Sequence, residues 1–106
     1  MARKILTLDV EPTFALRVEI PAPGGAVQID FTARHREKDA LVEFLDSDKY
    51  PNRPWEELVL GMVSGWSLQE PLTAESLRTL DQRYHRAGIR IVQRYCEELG
   101  QAASGN

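Results

Sequence analysis

Polar and apolar residues alternate strictly along the first third of the chain. In Thr13–Ile20, Phe14, Leu16, Val18 and Ile20 fall on one side and Thr13, Ala15, Arg17 and Glu19 on the other. In Ala26–Arg34, Val27, Ile29, Phe31 and Ala33 oppose Gln28, Asp30, Thr32 and Arg34. Period-2 patterning marks half-buried strands. The stretch Pro21-Ala22-Pro23-Gly24-Gly25 between them is rich in turn formers, so the two strands form an antiparallel hairpin with one apolar face. Ile5, Leu6, Leu8 and Val10 predict a third strand over Lys4–Val10, with Pro12 ending its pairing.

After Arg34 the period changes to that of a helix. Ala40, Leu41, Phe44 and Leu45 make a stripe within Glu37–Asp46. Trp55, Leu58, Val59, Met62, Val63 and Trp66 recur at three- and four-residue steps behind Pro54, a residue suited to a first helical turn. Gly61 and Gly65 weaken this helix, and either allow close packing or end it near Gly65. Thr73 is a good N-cap with Glu75 in the first turn, and Leu77, Leu80 and Tyr84 form the next stripe. A break is expected between His85 and Gly88, and Ile91, Val92, Tyr95 and Leu99 mark the last helix. These elements predict an α+β fold in which an N-terminal hairpin of two to three strands is covered by about four helices, strands first. Residues 1–99 make one domain, and the small polar residues from Gly100 to Asn106 make a flexible tail.

The length of 106 residues suits one domain and a core without staples. One cysteine, Cys96, makes no internal disulfide and fits a reducing compartment. No apolar run approaches a membrane span, and Met1-Ala2-Arg3-Lys4 lacks the features of a signal peptide. The expected location is therefore cytoplasmic, with no membrane. The net charge of −3 argues against general nucleic-acid binding. The charge is also uneven. Glu37–Glu57 carries seven acids against three bases, and Arg78–Arg94 carries five arginines against Asp81 alone. Such asymmetry steers a partner or pairs two faces, including faces of two copies in a homo-oligomer that weakens with salt.

Candidate chemistry is sparse. His35 with Asp39, and Asp81 with His85, have helical spacing but lack further metal ligands. Cys96 has no evident base, Gly24-Gly25 is a turn rather than a phosphate loop, and no serine sits in a nucleophile elbow. The chain therefore reads as a non-enzyme without cofactor. Trp55 and Trp66, eleven residues apart on one helix face, read as core aromatics; the sharper reading makes Trp66 a partner anchor. Arg86, Arg90 and Arg94 form an i, i+4, i+8 stripe on the last helix, with Arg83 as an extension. That stripe is a solvated face pairing with Glu97 and Glu98, a phosphate-tracking stripe, or a contact to an acidic partner, and the acidic net charge makes the phosphate reading the weaker functional one.

Read together, these features resemble the tail assembly chaperones of long-tailed bacteriophages. The likeness is carried by Thr13-Phe14, Ile20–Gly25, Phe31–Arg36 leading into an acidic helix, Gly65-Trp66 and Pro71-Leu72-Thr73. It continues through Glu75, Leu77, Leu80, Tyr84, Ala87, Ile91, Tyr95, Glu98-Leu99 and the closing Gly105-Asn106. It spans residues 13–106 and rests on the order of many weak signals. His85 stands where such proteins often have proline, and Leu72 where many have phenylalanine. The resemblance implies a non-catalytic protein of phage or prophage origin in the bacterial cytoplasm. It further implies that the protein binds the tape-measure protein before tube assembly and helps recruit tail tube protein. It implies absence from the finished virion, and a longer frameshifted form in many phages. Two other readings remain: a minor tail component retained in the virion, and a small nucleic-acid-binding regulator using the arginines.

Overall fold

The predicted hairpin forms with its apolar side turned inward. In the computed structural model, which describes residues 11–100, β1 (Thr13–Ala22) pairs antiparallel with β2 (Gly25–Arg34), Leu16 lying opposite Phe31 and Val18 opposite Ile29. Pro23 and Gly24 make the turn, and Gly24 adopts a φ of 82° that an L side chain rarely takes. Leu16, Val18, Ile20, Ile29, Phe31 and Ala33 are buried, while Ala15, Arg17, Glu19, Gln28, Asp30, Thr32 and Arg34 are exposed. One sheet face thus meets water, as is common for antiparallel sheets. The expected strand over Lys4–Val10, and all of the expected tail 100–106 except Gly100, lie outside the described residues.

Among the described residues there are four helices, α1 (Lys38–Phe44), α2 (Trp55–Met62), α3 (Ala74–Arg83) and α4 (Ala87–Glu98), of which α4 and α2 lie on the sheet. The α+β class stands. One expectation about order does not, because a third strand, β3 (Val63–Trp66), lies between α2 and α3 and pairs antiparallel with β2. The helical period from Trp55 to Trp66 is therefore broken at Met62, where Val63 turns extended (φ −128°, ψ 149°). The outer backbone edge of β2 offers hydrogen-bond partners there, and β-branched Val63 with Gly65 gives little helix propensity to resist them. The pairing carries a register shift between Thr32 and Ala33. Trp55 and Trp66 consequently do not share a helix face. Within α1, Leu41 is buried and Phe44 and Leu45 partly so, but Ala40 faces solvent, which narrows the expected stripe.

The helix ends follow local chemistry. Thr73 caps α3: its hydroxyl accepts from the Ser76 N–H at 3.1 Å, and the Ser76 hydroxyl accepts from the Thr73 N–H at 2.9 Å. The break before α4 falls at Tyr84–Arg86, with Arg86 left-handed at φ 72°. The Asp81 carboxylate closes this turn by accepting the Gly88 N–H at 2.9 Å, which places negative charge at the N-terminus of α4. Asp81 thus acts as a cap, not as half of a His85 ligand pair.

Helix α4 lies along β1, and α2 and α3 pack against α4. α2 and α4 meet closely at Gly88, where an added Cβ would stand 2.8 Å from the Trp55 ring. Gly88→Ala is therefore expected to destabilise the protein by about 1–3 kcal/mol, since overpacking outweighs the helix propensity gained. Urea unfolding checks this, and Trp55→Leu should reduce the penalty by opening the contact.

Candidate functional site

Helix α3 packs on α2 and α4 rather than on the strands. A groove of about 400 Å³ is left between α3 and the turn-proximal half of β2. Its floor is Val27 and Ile29 from β2, and one wall is Trp66 and Leu68. The opposite wall is Thr79, Leu80 and Tyr84, with Glu70 and Arg83 at the rim. The lining is mostly apolar.

Trp66 is fixed in its wall. Its ring lies 6.1 Å from that of Phe31 at 46°, and its indole N–H donates to the Glu70 carbonyl at 2.7 Å. The tilted aromatic contact and the single donor bond leave few alternative orientations for the ring. Ser67 ties the same segment to the sheet, its N–H donating to the Asp30 carbonyl at 2.9 Å and its hydroxyl accepting from the Asp30 N–H at 3.1 Å. The wall is thus built on bonded backbone, not on a loose loop. Of the residues that the sequence offers as partner contacts, the groove contains Trp66 and Arg83. Val27, Leu68, Thr79 and Tyr84 come from three separate segments, and no spacing in the chain announces their meeting.

The other arginines do not line this groove. Arg86 precedes α4 in a left-handed turn, so the helical stripe consists of Arg90 and Arg94. Both reach over β1: Arg90 Nε donates to the Glu19 carbonyl and Arg94 Nε to the Arg17 carbonyl, each at 3.3 Å. Arg94 also pairs with Glu97 at 2.8 Å and Glu98 at 2.9 Å. Its hydrogen bonds to Glu97 and Glu98 raise the Arg94 pKa further.

Among the described residues there is no group of three or more His, Cys, Asp or Glu placed to hold a metal ion. No helix there is long and apolar enough to cross a membrane. Cys96 is half-buried on α4, and burial, with the Glu97 charge second, pushes its thiol pKa up. A raised pKa lowers the thiolate fraction at every pH below it. Cys96 in the folded protein is therefore expected to alkylate more slowly at neutral pH than in the urea-unfolded chain. Its reactivity should rise at a higher pH than in the unfolded chain, as a stopped-time iodoacetamide series would read out.

No curated protein and no solved structure matches the chain. A family model described as phage tail assembly chaperone matches residues 1–106. That match spans the groove, the sheet and all four helices, and by it the chain belongs to the phage tail assembly chaperone family.

Proposed function

We propose that this protein chaperones the tape-measure protein of a long-tailed phage or prophage in the host cytoplasm, by binding alone and without catalysis. The observation that carries this reading is the apolar groove beside Trp66, in a chain whose family assembles phage tails. A long helical protein awaiting assembly exposes apolar stripes, and a groove of this shape shields one such stripe from aggregation. Val27, Ile29, Leu68 and Leu80 supply the apolar contact, and Trp66 and Tyr84 supply flat aromatic surface with a polar edge. Glu70 and Arg83 at the rim offer one charge of each sign. They orient a segment that carries charges beside its apolar face. Interaction with tail tube protein fits the same family role.

Thr79 gives a clean test, because it is exposed on α3 and lines the groove. Thr79→Arg places a long charged chain across the mouth and should change stability by no more than about 0.5 kcal/mol. Co-expression of the wild-type chain with the tape-measure protein encoded beside it should raise the soluble fraction of that protein. Thr79→Arg should abolish the gain. A wild-type chain that gives no gain sinks the functional reading, and a fully active Thr79→Arg protein moves the binding surface away from the groove.

A further inference from the structure

Strand β1 stands at the edge of the sheet: among the described residues it has no neighbour on the side away from β2. Its backbone polarity there follows from the register. Asp30, opposite Arg17, turns its N–H and C=O toward Ser67. Arg17 and Asp30 are therefore a non-hydrogen-bonded pair, and Arg17 turns its own N–H and C=O outward. By alternation so do Ala15 and Glu19. The two outward carbonyls in the middle of the strand, those of Arg17 and Glu19, are the ones that Arg94 and Arg90 occupy.

The same edge is complementary to itself. Two copies of β1 placed antiparallel about a two-fold axis at Val18 bring Arg17 opposite Glu19 of the second copy, twice by symmetry. Arg17 and Glu19 carry outward backbone groups, so this register forms two hydrogen-bonded pairs by symmetry, while the flanking Ala15 meets Pro21, which accepts but has no N–H to donate. Their side chains lie on the exposed sheet face, so the opposite charges meet in cross-strand pairs. Arg17 already pairs with Asp30 at 3.1 Å, and the row across the two sheets reads Asp30, Arg17, Glu19. Registers centred on Leu16 or Ile20 set Arg17 against Ala15 or Pro23 and lose this match.

We propose that the outer edge of β1 is a pairing surface for a second copy of this chain, and that Arg90 and Arg94 hold it closed. The guanidinium groups fill the carbonyls that the second strand's N–H groups would take, and their charge stands in its path. The pairing is thus available when these two side chains move away. This lies apart from the groove and does not depend on the tape-measure reading.

Sedimentation equilibrium tests it. Arg90→Met with Arg94→Met keeps the stems over the strand and removes the donors. Wild type should be monomeric and the double variant dimeric at the same concentration, with circular dichroism reporting that both are folded. Glu19→Arg in that background sets like charges opposite each other twice and should weaken the dimer about tenfold or more. Adding Arg17→Glu restores opposite charges and should recover it. Either single variant, Arg90→Met or Arg94→Met, should give a weaker dimer if the double variant does not fold. Three results would overturn the proposal: folded variants that stay monomeric, a wild type as dimeric as they are, or a dimer indifferent to the charge exchange.

Discussion

Tyr95 joins the last helix to both strands of the hairpin. Its ring, in the C-terminal part of the last helix, is fully buried and stacks 6.1 Å from Phe14 of β1. Its hydroxyl donates to the Arg34 carbonyl at the end of β2 at 2.7 Å and accepts from Arg36 Nη1 at 2.9 Å. The same Nη1 donates to the Gly61 carbonyl in α2 at 2.8 Å, and the guanidinium lies 3.7 Å over the Phe44 ring of α1. One phenol and one guanidinium thus tie both hairpin strands to three helices. Among the described residues no buried side-chain nitrogen or oxygen lacks a partner, and a satisfied buried network holds one arrangement rather than several. Arg53 supports it from the outside, donating to the Phe44 carbonyl and lying 4.8 Å over the same ring.

The groove is a consequence of that arrangement. With α4 locked along β1 and α2 beside it, α3 has only helices to pack on. The tight Tyr84–Arg86 turn, closed by Asp81, keeps α3 short of the strands. The turn-proximal end of β2 is left uncovered, and β3 brings Trp66 to its flank. Chaperoning by a small protein requires apolar surface that the fold itself does not consume, and this topology leaves some on a rigid frame.

The hairpin was legible in the sequence because strict alternation over two runs fixes both face and register. The four helices were legible from their stripes and from Thr73. The third strand was not: Val63-Ser64-Gly65-Trp66 is too short to show period 2, and its apolar residues continue the helical spacing begun at Trp55. Only the edge of β2, a tertiary feature, decides it. Arg86 failed as a helix residue for a local reason, its left-handed backbone in the turn. Trp66 stood out by residue type, yet its wall-mates come from β2 and α3 and carry no shared pattern. Arg36 was invisible, since an arginine within His35-Arg36-Glu37-Lys38 reads as solvated surface until Phe44, Gly61 and Tyr95 are seen around it.

The central claim is that Tyr95 and Arg36 act as one unit that holds helices to sheet. A double-mutant cycle on urea stability, with Tyr95→Phe, Arg36→Met and both together, measures it directly. Coupling between the two sites should exceed about 1 kcal/mol, because either change alone leaves the other's polar group short of a buried partner. Additive effects, with coupling below about 0.3 kcal/mol, would contradict the account. They would mean that the two residues stabilise the fold independently.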